Sequence, residues 1–86
     1  MSYRAGLVLL FALPLVGPAL AASDSVVATL YRSSVVIENA RLHVATFDAD
    51  APFDYNWENC QLAADLFAAQ PGVKVRFWCE KGRYRE

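Results

Sequence analysis

The sequence predicts a two-layer α/β mini-domain of order β-β-α-β, with a three-stranded sheet, one helix and one disulfide, behind an N-terminal signal peptide. Three observations carry that expectation. Residues 57–69 repeat apolar side chains at helical spacing, and residues 73–79 alternate with a period of two. The 2 cysteines of the chain, Cys60 and Cys79, fall one in each of those segments. The expected organisation is a signal at 1–21, a stapled domain at 22–80 and a charged tail at 81–86.

The signal has three parts. Arg4 supplies a positive start, Leu7 to Leu13 an unbroken apolar run, and Pro14 to Pro18 a break before Ala19-Leu20-Ala21. Small residues at the first and third places of that triplet suit the pockets of signal peptidase, which puts cleavage after Ala21, with Ala22 as the alternative. The run is shorter than the roughly 20 residues needed to span a bilayer. No cysteine immediately follows the cut, so no lipid-anchored start is expected. The chain is therefore expected in the periplasm or outside the cell, with no stable membrane anchor after cleavage.

Losing Arg4 leaves seven basic residues against 9 acidic ones, a charge near 7 − 9 = −2. A weakly acidic chain has no bulk attraction for nucleic acid or anionic lipid. A domain of this size buries only about 60% of its unfolded surface and is marginal without a staple. Paired cysteines are the usual staple in an exported chain.

Ser25 to Arg32 reads as the first strand, since Val26, Val27, Thr29, Leu30 and Tyr31 suit a pleated surface. Its apolar residues fall on both parities, so its inward face is open. Ser33 to Ala40 reads as a wide hairpin connection around Val35-Val36-Ile37. Arg41 to Asp48 is the second strand, with Leu42, Val44 and Thr46 on one parity and His43, Ala45 and Phe47 on the other. Neither side is strongly polar, which predicts a central place in the sheet.

Asp48, Asp50 and Asp54 lie around Pro52 in the next loop. They lack the alternate spacing, the glycine and the closing glutamate of a calcium loop, so no metal is expected. Asn56 reads as the N-cap of a helix over Trp57 to Ala69, with Trp57, Cys60, Ala63, Ala64 and Phe67 on one stripe. Gln70-Pro71-Gly72 ends it. Val73 to Cys79 is the third strand: Val73, Val75, Phe77 and Cys79 share one face and Lys74, Arg76 and Trp78 the other. Glu80 to Glu86 reads as a frayed charged tail.

A short turn makes helix and third strand antiparallel. From Cys60 to the helix end is roughly 15 Å, and from Val73 to Cys79 roughly 20 Å, so the strand returns to the level of Cys60. Both thiols lie on the apolar side of their element. The spacing favours a structural disulfide over a redox pair, whose cysteines normally lie close in sequence.

Tyr55-Asn56-x-x-Asn59-Cys60 and Phe77-Trp78-Cys79-Glu80-Lys81-Gly82, behind Ala28 to Arg32 and His43 to Asp48, resemble a group of small uncharacterised secreted proteins of Gram-negative bacteria. The resemblance implies an exported protein of such a bacterium. It carries over no activity and no site residue.

One helix covers one face of the sheet. The other face is expected to present Trp78, Arg76 and Lys74, with Tyr31 and one parity of the second strand, His43 and Phe47 if it is that one. Trp and Arg are frequent binding hot spots, so this face predicts a non-catalytic interaction module that self-associates or docks an envelope protein. The alternative is a small enzyme or enzyme accessory using His43, the single histidine, with loop carboxylates, but Asp48 and Asp50 are too far along an extended segment to reach it. Stacking of single-stranded nucleic acid on Tyr31 and Trp78 is disfavoured by the net acidity. No cofactor motif is present in the sequence.

Overall fold

The computed structural model describes residues 23–86. The expected signal, with both cleavage positions, lies outside the described residues. A 3-10 turn, Asp24–Val26, leads into β1 (Ala28–Arg32), β2 (Leu42–Phe47), α1 (Phe53–Ala68) and β3 (Phe77–Lys81). The strands form one sheet in the order β2-β1-β3, both pairs antiparallel. With α1 packed on one face, mainly over β3 and β1, the structure is the two-layer α/β unit that the sequence predicts.

The central strand is β1, not β2. Val27 to Tyr31 are all buried, because β1 has a strand on each side, α1 below and the chain's own C-terminal residues above. β2 is an edge strand, and its two apolar parities have another cause. Its pairing runs Leu30↔Ala45 and then Tyr31↔His43, so Val44 is an extra residue in a β-bulge. A bulge reverses the in-out alternation beyond it. Ala45 and Phe47 pack toward α1 together with Val44, while His43 and Thr46 share the opposite face, His43 Nε2 lying 2.8 Å from Thr46 Oγ1. Neither simple parity describes the whole strand. Because β3 pairs with β1, β2 and β3 run in the same direction without touching as neighbours.

α1 starts about one turn earlier than expected. Pro52 takes the cap position without a side-chain cap bond; its fixed φ suits a helix start, where a missing N–H is harmless. Asn56 is thereby moved inside the first turn and becomes a buried tie, 2% exposed. Its Nδ2 donates to the Val26 carbonyl at 2.7 Å and to the Ala49 carbonyl at 3.1 Å, and its Oδ1 accepts from the Ala49 N–H at 3.1 Å. One amide joins the helix, the loop before it and the start of β1. The helix stops where expected, and Gly72, at φ +82°, turns the chain.

β3 starts at Phe77 rather than Val73, because β1 ends at Arg32 and leaves residues 73–76 no ladder partner. Ser33 closes that end: its N–H donates to the Arg76 carbonyl at 2.9 Å, and its Oγ accepts from the Arg76 N–H at 2.8 Å. The alternation holds, with Phe77 and Cys79 packed against the core of Ala28, Leu30, Cys60 and Ala64. Cys60 and Cys79 form the disulfide, S–S 2.04 Å and Cα–Cα 6.2 Å.

The C-terminal residues are not frayed. Gly82 donates its N–H to the Val27 carbonyl at 2.7 Å, and its own carbonyl accepts from the buried Thr29 hydroxyl at 2.6 Å. Gly82 is buried at φ +102°, a backbone state that side-chain-bearing residues rarely adopt. Arg83 then pairs with Asp24 at 2.9 Å and Asp48 at 3.2 Å. A run of charges suggests solvation when read alone; here a hydroxyl in the central strand needs an acceptor, and two carboxylates stand ready for the guanidinium.

Candidate interaction surfaces

The face opposite α1 is built around Tyr31, on the central strand and 1% exposed. Trp78 from β3 stacks on it at 6.1 Å between centroids, His43 from β2 meets it edge-on at 6.5 Å, and Tyr84 lies at 6.1 Å from Tyr31 and 4.8 Å from His43. Arg41 reaches over the Tyr31 ring at 4.1 Å and donates to the Tyr31 hydroxyl at 2.9 Å. The same guanidinium grips both oxygens of Glu80, the closest contact being 2.8 Å, and donates to the Arg85 carbonyl. Trp78 Nε1 donates to Glu80 Oε2 at 2.8 Å.

Glu80 is the hinge of this network. The hydrogen bond from Arg41, then that from Trp78, hold its carboxyl below the usual carboxylate range, and its hydrogen bond in turn raises the Arg41 guanidinium. Both favour the charged forms.

Of the residues the sequence puts on this face, Tyr31, His43 and Trp78 come together, and Arg76 stands over Trp78 at 5.5 Å. Lys74 is exposed in the segment before β3. Phe47 is on the other side of the sheet, turned there by the bulge. His43 is bonded to Thr46, and among the described residues no carboxylate is hydrogen-bonded to it. Asp48, one of the loop carboxylates considered for it, is engaged by Arg83. The described residues hold no group of three or more metal-ligating side chains, and no helix among them is long and apolar enough to cross a membrane.

A second surface lies where Phe47 goes. α1 has three faces rather than two. One packs on the sheet; a second carries Asp54, Glu58, Gln61 and Asp65; the third is a flank of Tyr55, Asn59, Leu62 and Leu66 at spacings of three and four. Tyr55, Leu62 and Leu66 are 55, 56 and 62% exposed, too open for core residues. With α1 leaning toward β3, this flank and the end of β2 enclose an open groove of about 320 Å³, lined by Phe47, Asp48, Ala63 and the flank. A helical wheel that tracked Leu62 and Leu66 would have revealed the flank; the bulge that delivers Phe47 has no local signature. Tyr84 was equally findable, as the lone aromatic in a charged stretch. Comparison with protein-family models, with curated proteins and with solved structures yields no match to this chain.

Proposed function

We propose that the chain is a small exported binding module of the bacterial envelope, without catalytic chemistry of its own, which receives an apolar segment of a partner protein in the groove between α1 and β2. The observation that carries this reading is the exposed flank of Tyr55, Leu62 and Leu66 opposite Phe47. Large aliphatic and aromatic side chains gathered in a concave site are what partner segments bury. The aromatic face of the sheet, the surface suggested by sequence, serves this reading less well, since Tyr31 is already covered by Arg41 and Tyr84. Export is supported by the leader-like residues 1–21, by a disulfide in so small a domain and by the resemblance to secreted proteins.

The occupant is an aliphatic segment with a cation at one end. The apolar lining asks for the first, and Asp50 and Asp54, exposed around the start of α1 close in sequence to the lining residues Asp48 and Tyr55, for the second, since Asp48 itself is paired with Arg83. A photo-crosslinker placed at Leu66, with Gln61 on the charged helix face as control, tests this in envelope of the source bacterium. An adduct with a different polypeptide from position 66 alone, lost on Leu62→Asp, is the expected result. Adducts only between copies of the chain, or equal labelling from position 61, overturn it.

A further inference from the structure

The loop between β1 and β2 ends in three consecutive β-branched aliphatic residues that the fold leaves in solvent. Val35, Val36 and Ile37 are 69, 84 and 59% exposed. They are not a slack loop. Ser34 Oγ accepts from the N–H groups of Val36 at 3.0 Å and Ile37 at 3.1 Å, and Asn39 takes a left-handed φ of 60° that returns the chain toward β2. Asparagine is among the few residues that adopt that state readily. The result is a fixed apolar tip.

Charge is sorted along the molecule in a way the net value conceals. Arg32, Lys74 and Arg76 all lie at the end of the sheet from which the tip projects, since Arg32 pairs with Phe77 and Ser33 is bonded to Arg76. Among the described residues none of these three cations forms a salt bridge. The carboxylates Asp24, Asp48, Asp50 and Asp54 stand at the opposite end, around the start of α1, and among the described residues they outnumber the cations there, Arg83, which pairs with Asp24 and Asp48, and Lys81 over Phe53. At the cationic end the loop carries one acid, Glu38, and the last turns of α1 carry Asp65.

We propose that this end of the molecule docks reversibly on an anionic lipid surface, with Val35, Val36 and Ile37 inserted at the headgroup level and Arg32, Lys74 and Arg76 facing the lipid charges. Apolar side chains and cations acting together are what interfacial binding requires, because one weak signal alone gives only marginal attachment. The acidic end then points away from the surface, so a like-charge penalty does not cancel the attraction. The docking surface lies apart from the helix groove and does not depend on it.

The test uses the oxidised chain recovered from an expressing Gram-negative bacterium, its N-terminus read by mass spectrometry, in sedimentation with vesicles. Vesicles of phosphatidylglycerol and phosphatidylethanolamine are compared with neutral phosphatidylcholine. Binding to the anionic vesicles that falls at least tenfold in Val35→Ser/Val36→Ser/Ile37→Ser is expected. Removing Lys74 and Arg76 as K74Q/R76Q should weaken it by roughly 30-fold at low salt, at about one kcal/mol per cation. Glu38→Gln should tighten binding to the anionic vesicles several-fold with its circular dichroism and Tm unchanged, which separates the charge effect from unfolding. Equal binding to neutral vesicles, insensitivity to the loop substitutions, or no binding with the disulfide intact overturns the proposal. Binding instead to a purified envelope protein through the same loop also overturns it.

Discussion

Replacing Asn56 tests the claim that one buried amide holds three segments together. Asn56→Ala removes three hydrogen bonds and leaves the Val26 carbonyl and the Ala49 N–H short of a partner in a part-buried site, while the Ala49 carbonyl keeps the Ala51 N–H. At about 1 kcal/mol per net bond, with a further penalty where a buried group stays unpaired, the loss is about 3 kcal/mol. For a domain of this length that corresponds to a fall in Tm of roughly 12–24 °C. Asn56→Asp is the sharper variant. It keeps an acceptor for the Ala49 N–H but aims a carboxylate at the two carbonyls that Nδ2 served. Its folded pKa is then raised above the unfolded value of about 3.9, so the folded state favours the protonated form. Measured against wild type at each pH, the deficit of Asn56→Asp should be smallest below about pH 4 and grow as pH rises toward 7. Thermal unfolding followed by circular dichroism gives both quantities. A Tm within about 4 °C of wild type for Asn56→Ala, or a pH-independent deficit for Asn56→Asp, would refute the reasoning.

Removing the staple as Cys60→Ala/Cys79→Ala opens a loop of sequence separation 19, and a fall of about 3 kcal/mol in denaturant unfolding is expected from the lost chain constraint. Glu80 has its pKa lowered by Arg41 and Trp78, so its contribution is present above its unfolded value of about 4.5 and disappears as pH falls through the folded one. Acid titration of stability should therefore be shallower in Glu80→Gln, and an unchanged acid limb counts against the network. Gly82→Ala forces a side chain onto a backbone at φ +102°; a loss of about 1–3 kcal/mol, with freer exchange of the amide at position 82, is expected.

The helix stripe and the alternation of Phe77, Trp78 and Cys79 made the disulfide legible, because both rest on backbone periodicity and short connections. What escaped depends on long-range pairing. β2 reads as central from its mixed apolar parities, yet the mixture arises from one extra residue at Val44 that only the register with β1 exposes. Asn56 has the chemistry of a cap, and whether it caps or ties depends on Pro52 starting the helix a turn earlier. Tyr84 and Arg83 look solvated until Tyr31, Asp24 and Asp48 are placed beside them. Of the surface inferred from sequence, the rings of Tyr31, His43 and Trp78 assembled as a group, while Phe47 was carried to the far side.

The closure of the sheet by Gly82, Arg83 and Tyr84 makes the middle strand depend on residues that belong to no strand. Gly82 supplies the acceptor for the Thr29 hydroxyl and the donor to the Val27 carbonyl, and Arg83 ties down Asp24 and Asp48. A proteolytic cut after Lys81 would therefore strip β1 of its cover while leaving every strand residue and the Cys60–Cys79 bond in place. Trimming there should loosen the whole sheet, although nothing of the ladder itself has been removed.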